Sequence, residues 1–150
     1  MMNREPIMST LQDELALRNL MGRYVDAANR RDGEAWAQTW AEDGCWKLMG
    51  LEIQGRNNIL ELWQQVVAGF EFAILMPSSS NFDIVGDRAT GHWYLQEFTR
   101  DNDGNAANVL SRYRDSYSRM DGQWLFQSRE YDVMYFGAAD MSGNFNPLPA

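Results

Sequence analysis

A chain of 150 residues, 45% hydrophobic and 23% charged, has the size and balance of one globular domain, able to bury about 70% of its unfolded surface. A net charge of -8, from 21 acidic against 13 basic residues with no Lys/Arg run, excludes nucleic acid and anionic membrane as partners. One cysteine, Cys45, and one histidine, His92, exclude an internal disulfide, a cysteine metal cluster and any site built from several imidazoles, so no metal is expected.

The N-terminus, MMNREPIMSTLQDEL, has no apolar run ahead of its first charges, so no signal peptide is expected. No stretch approaches the roughly 18 apolar residues of a membrane span. The expectation is a reduced, cytoplasmic, soluble protein. Residues 1–8 read as a loose tail. Ser9-Thr10 then offers a helix N-cap, with Gln12 and Asp13 as capping-box partners. Leu17, Met21, Tyr24 and Ala28 follow at helical spacing as one buried stripe, with Asn29 at its edge. Asp32-Gly33 interrupts the pattern. Asp32 can cap a second, short helix carrying Trp36 and Trp40 one turn apart.

Cys45–Met49 reads as a short strand with Trp46 and Leu48 on one face. Gly50 and Gly55 bracket a turn region. Asn58 with Glu61 resembles another capping box, and Ile59, Trp63, Val66 and Phe70 trace a third helix. The second half alternates. Strands are predicted over Asn81–Val85, Arg88–Phe98, Asn108–Arg119 and Trp124–Tyr135. Gly86-Asp87, the loop Asp101–Asn105 and Asp121-Gly122 supply the turns. The domain core is about 9–136, and 137–150 is an irregular tail.

Helices first and a strand meander last predict an α+β fold. A sheet of few long strands must twist and curl. With three helices on its concave side it becomes a cone with an open mouth. Six Trp, six Tyr and seven Phe exceed what a small core needs and suit the walls of a cavity for a small hydrophobic ligand.

Three segments carry a family resemblance: LMGRYVDAANRRDGEAWAQTWAEDGCW, SNFDIVGDRATGHWYLQEF and SRYRDSYSRMDGQWLFQSREYDVMY. Their order and spacing, over about residues 11–136, resemble the nuclear transport factor 2-like superfamily, and more closely its SnoaL-like branch. The resemblance implies a cystatin-like cone, a single domain and a homodimer. It groups the chain with scytalone dehydratase, ketosteroid isomerase, hexachlorocyclohexane dehydrochlorinase, bile acid dehydratase and polyketide cyclases. The implied activity is that of a lyase or isomerase needing no cofactor, on a polycyclic, terpenoid or polyketide-like substrate.

The resemblance also says where chemistry should sit. Dehydratase and dehydrochlorinase relatives pair an Asp on the first helix with a His from the sheet. Here those positions are Asn29 and, within MPSSSNF, Pro77. The carboxylate base of ketosteroid isomerase falls at Leu48, while its oxyanion pair matches Tyr24 and Asp115. Trp93 and Leu95 stand at two positions that a limonene epoxide hydrolase would need as charged. Alternation puts Tyr113, Asp115 and Tyr117 on one strand face, with Arg129 on the neighbouring strand. Arg129 and Trp46 also match a pocket Arg and a pocket Trp of the dehydrochlorinase relative, so the candidate site that the resemblance implies is Tyr24, Asn29, Trp46, Tyr113, Asp115 and Arg129. In it Asp115 is the acid/base, Tyr24 stabilises an enolate and Arg129 anchors a polar substituent.

Each residue also has a plainer structural reading. Tyr24 and Trp46 can be core, Asn29 a helix cap, and Asp115 with Arg129 a cross-strand ion pair. His92 reads as a surface or interface residue, Cys45 as an inert core thiol and Asp101–Asp103 as a solvated turn. Two further functions stay open. One is a non-catalytic ligand-binding or accessory protein that has lost the dyad. The other is an interaction module using the sheet face, where Arg112, Arg114 and Ser116 make no apolar patch.

Overall fold

The structure is a computed structural model that describes residues 5–140 and Asn144, with backbone alone for residues 5–9. The first helix, α1 (Glu5–Arg30), begins ahead of the expected Ser9-Thr10 cap. Pro6 lies in its first turn, where a missing N–H costs no helical hydrogen bond. Leu17, Met21 and Tyr24 are buried as the spacing predicts, with Leu20 and Ala27 completing the stripe and Ala28 half-buried. Residues 1–4 of the expected tail lie outside the described residues.

Helix α1 ends in a Schellman turn. The Arg31 N–H donates to Ala28 O and the Asp32 N–H to Ala27 O, at 3.1 and 2.9 Å. Arg31 occupies the left-handed position of that turn, with φ of 58°. Asp32 then caps α2 (Gly33–Ala37), accepting from the Ala35 N–H at 3.1 Å. This helix is shorter than expected. Trp40 opens strand β1 (Trp40–Leu48) instead of continuing the turn begun at Trp36. The two indoles still meet edge to face, 5.8 Å apart.

The Gly50–Gly55 region holds a strand that spacing alone does not reveal, β2 (Leu51–Gln54), paired antiparallel with β1. The intervening Met49 and Gly50 both have positive φ, 50° and 79°, as a tight hairpin requires. Helix α3 (Arg56–Ala68) starts from Gly55. Asn58 donates to Gln54 O at 2.9 Å rather than closing a capping box with Glu61.

The largest departure is β3 (Phe70–Val85), which absorbs Phe70 from the expected third helix and begins eleven residues before Asn81. Pro77 and the following serines suggest a break. They are tolerated because β3 is an edge strand and its register with the next strand slips between Pro77 and Ser80. The meander continues through β4 (Arg88–Asp101), β5 (Ala106–Met120) and β6 (Gln123–Ala138). Gly91 permits the close pass of β3, since a Cβ there would lie 2.4 Å from Asn81 O.

The fold is α+β, with three helices and one curved six-stranded sheet in the order β2-β1-β6-β5-β4-β3. β1 runs parallel to β6, and every other pair is antiparallel. Helix α1 packs on β3 and β6, α3 on β1, β2 and β3, and α2 bridges the two helices. Trp36 stacks on Trp63 at 4.7 Å and meets Trp46 at 5.6 Å, so indoles fill the junction of α2, α3 and β1. No helix among the described residues is long and apolar enough to cross a membrane.

Candidate active site

Between the concave sheet and the helices lies a cavity of about 320 Å³. Trp46, Leu48, Trp63, Val67, Phe70, Leu75 and Val109 make most of its wall apolar. Met49, 84% exposed, and Phe136, 70% exposed, mark where it opens. Polar groups reach it from Tyr24, Asn29, Arg31, Glu97, Thr99, Tyr113 and Tyr131, and Glu97 is the one carboxylate among its lining residues.

Glu97 comes from β4, where period-two alternation sends Trp93, Leu95 and Glu97 to the concave face. It sits between Leu75 of β3 and Val109 of β5. The Tyr131 hydroxyl donates a short hydrogen bond to Oε2, and the Ser111 hydroxyl donates to the same oxygen at 3.1 Å. Among the described residues nothing donates a hydrogen bond to Oε1, and it is not sealed off. Burial pushes the Glu97 carboxyl above its ordinary range, against the pull of those two donors. Burial and the adjacent Glu97 likewise push the Tyr131 phenol up, so it stays a donor. A carboxyl of this kind exchanges a proton nearer neutral pH than a surface glutamate does.

The expected site residues separate into two layers. Tyr24, Asn29, Trp46 and Tyr113 line the cavity. The Tyr24 and Tyr113 hydroxyls are 3.2 Å apart, and burial raises both phenols, so each remains protonated. Asn29 does more than end a helix. Its amide donates to Leu75 O at 3.1 Å and accepts from the Leu75 N–H at 3.0 Å, fastening α1 to the edge strand. Only an amide satisfies both groups. Asn29→Asp is therefore expected to lower stability by about 1–3 kcal/mol at neutral pH, by setting a carboxylate against the Leu75 carbonyl. Thermal denaturation checks this, and a melting temperature equal to that of the parent would show that the clamp contributes nothing.

Asp115 and Arg129 do not line the cavity. They form a second layer behind Tyr24 and Tyr113, with both side chains fully buried. The guanidinium engages the carboxylate through two bonds, Nε to Oδ1 at 2.7 Å and Nη2 to Oδ2 at 3.1 Å. The Tyr117 hydroxyl donates to Oδ2 at 2.8 Å, and the Trp93 indole donates to Tyr117 at 3.2 Å. The guanidinium also lies 3.8 Å from the Tyr113 ring, 4.0 Å from Phe126 and 4.4 Å from Tyr24. Burial acts against both charges, raising the Asp115 carboxyl, while Asp115 and the tyrosines hold Arg129 above its ordinary value. The two-point geometry makes this an ionised pair. Asp115, expected as the acid/base, and Arg129, expected as the anchor, therefore stand behind the cavity wall rather than in it: alternation identifies the face of a strand, not the depth behind it.

The remaining expectations resolve simply. Leu48 lines the cavity and Pro77 does not. His92 lies in an open depression with Thr90, Arg112, Arg114 and Ser116, away from the cavity. Arg112 and Arg114 are both tied to Asp132. Cys45 is half-buried rather than core, with Gln54 donating to its sulfur at 3.3 Å. Asp101 is occupied by its own loop, its Oδ1 accepting from the Asp103 and Asn105 N–H groups at 3.0 and 2.9 Å. Among the described residues no three His, Cys, Asp or Glu side chains converge as a metal site would require. Glu97 was legible only through its neighbours, sharing the face of Trp93 and Leu95 one step further along.

A SnoaL-like domain model matches residues 9–130. The fold is similar to that of the hexachlorocyclohexane dehydrochlorinase LinA-type3 from Novosphingobium barchaimii, with TM-score 0.84, 19% identity, and 93% of this chain and 99% of that chain covered. It is similar to a provisionally named scytalone dehydratase from Novosphingobium aromaticivorans, with TM-score 0.82, 18% identity and coverage of 90% and 93%. It is also similar to a Nostoc punctiforme protein of cystatin-like fold, with TM-score 0.69, 21% identity and coverage of 81% and 91%. At these identities the likeness concerns fold alone. No curated protein of similar sequence was found.

Proposed function

Since the chain belongs to the SnoaL-like domain family, we propose that it is a cofactor-free lyase or isomerase that takes a small apolar molecule into the cavity and moves its proton with Glu97. Two structural neighbours bear names of eliminating enzymes, a dehydrochlorinase and a dehydratase, which supports the reaction class. The observation that carries the reading is Glu97 itself: a half-buried carboxyl with one oxygen held by Tyr131 and Ser111 and the other facing an apolar chamber.

In this reading Oε1 removes a proton from a carbon next to a carbonyl, and the C–H electron pair becomes an enolate. The Tyr24 and Tyr113 hydroxyls are donors for the enolate oxygen. The electrons then either expel a leaving group from the β-carbon, which departs with the proton held by Glu97, or take that proton back at a different carbon. The first outcome is a lyase and the second an isomerase. Asn29 and Pro77 leave the expected dyad without a base, and Leu48 supplies none, so Glu97 is the proton-transfer group that the cavity retains.

Deuterium incorporation from D2O into β-tetralone, followed by NMR, tests the reading. The protein is expected to accelerate exchange beyond the buffer rate. No acceleration, with β-tetralone or with the smaller cyclohexanone, would contradict it. Ligand binding without exchange would favour the second reading, a binding protein, which the commitment of Asn29 to the Leu75 backbone supports.

A further inference from the structure

The mouth of the cavity carries backbone strain at one residue. Among the described residues three non-glycines have left-handed φ values: Arg31 at 58°, Met49 at 50° and Asp121 at 52°. Asp121 precedes Gly122 and Met49 precedes Gly50 in two-residue hairpin turns, where such a conformation is ordinary. Arg31 lines the cavity outside any hairpin, and arginine is not a residue type that the conformation favours. At Arg31 the Schellman turn would be satisfied without strain by glycine. The turn instead holds a guanidinium at the opening, steadied by a hydrogen bond to Phe70 O.

That guanidinium is also unpaired. Among the described residues no carboxylate lies within ion-pairing distance of Arg31, whereas the adjacent Arg30 pairs with Asp26 at 3.0 Å. Arg31 is the one cation among the lining residues and Glu97 the one anion. Their separation follows from the sheet. Arg31 is held at Phe70, Phe70 pairs with Asp101, and Glu97 lies four residues back along β4. At about 3.3 Å per residue the β4 positions Asp101 and Glu97 lie roughly 13 Å apart along the strand. Ala73, Leu75 and Trp63 also line the cavity.

We propose that the cavity accepts an elongated, otherwise apolar acid, with its carboxylate at Arg31 and, at its far end, the carbonyl-bearing carbon that reacts at Glu97. The proposal rests on the reading of this cavity as a substrate site and adds the class of substrate. A net charge of -8 repels anions in general, so a lone cation at the entrance is what makes an acid acceptable there. Glu97 fixes the orientation: a carboxylate carried to its depth would meet a like charge in an apolar chamber.

Binding of phenylhexanoate and of its primary amide, read by calorimetry and by quenching of Trp46 and Trp63 fluorescence, tests this. The acid is expected to bind about fivefold more tightly than the amide. Arg31→Gln is expected to erase that preference by bringing acid binding down to the level of the amide, and Arg31→Lys to keep part of it. Equal binding of acid and amide to the parent protein, or a preference that survives Arg31→Gln, would overturn the proposal. A preserved preference with no deuterium exchange would instead overturn the lyase or isomerase reading alone. Failure of acid and amide alike to bind would overturn both.

Discussion

Glu97→Gln is expected to reduce any proton transfer from carbon by about 10²–10⁴-fold, the usual contribution of a positioned general base. The replacement keeps the shape of the side chain, and its amide oxygen can still accept from Tyr131 and Ser111, so folding and apolar binding should persist. The pH profile carries a second signature. Burial, opposed by the Tyr131 and Ser111 hydroxyls, raises the folded Glu97 pKa above its unfolded value. Only the ionised form is a base, so the rate should climb as pH rises through that raised pKa, above the ordinary glutamate value of about 4.3. Tyr131→Phe removes a donor that favours the carboxylate and should move this limb to higher pH. Stability runs the other way. A carboxyl with a raised folded pKa stabilises fully below its unfolded pKa and loses that contribution as pH rises through the folded one. Glu97→Gln should therefore be more stable than the parent on the alkaline side, and equal stability across that window would count against a perturbed carboxyl.

Asp115→Leu is expected to cost about 3–5 kcal/mol of stability, because it leaves the Arg129 guanidinium buried without a counter-ion. In a domain of this length that is a fall in melting temperature on the order of ten degrees. The loss should be largely reversed by the double change Asp115→Leu with Arg129→Met, since an apolar pair of similar volume avoids the desolvation of both charges. Thermal melts of the parent, both single variants and the double variant form a cycle that measures the coupling. A single variant as stable as the parent would show that water reaches this pair, contrary to its full burial. The pair supports the site indirectly. Its guanidinium lies against the faces of Tyr24 and Tyr113, whose edges bear the hydroxyls that reach the cavity.

The sequence made the architecture legible where patterning is strong. The α1 stripe, the Asp32 cap and the last three strands follow from helical spacing, side-chain capping and alternation. It was least informative along Phe70–Ser80, where proline and serines look like a loop but an edge strand tolerates them. Strand β2 has only four residues, too few for a period to register. For the site, alternation placed Asp115 opposite Arg129, and the two are indeed register partners. It could not say that aromatic rings stand between them and the cavity. Glu97 carries little signal in the sequence, because its significance depends on non-local partners, Ser111 and Tyr131, from two other strands.

The central claim is that this chamber keeps an ionisable carboxyl, Glu97, ready to exchange a proton with whatever enters. Carbon-13 NMR titration of the glutamate side-chain carboxyls, with Glu97 assigned by its loss in Glu97→Gln, measures this directly. The account predicts a midpoint raised above that of the surface glutamates, and raised further when phenylhexanoate displaces water from the cavity. A midpoint in the ordinary glutamate range that does not move on adding the acid would contradict it.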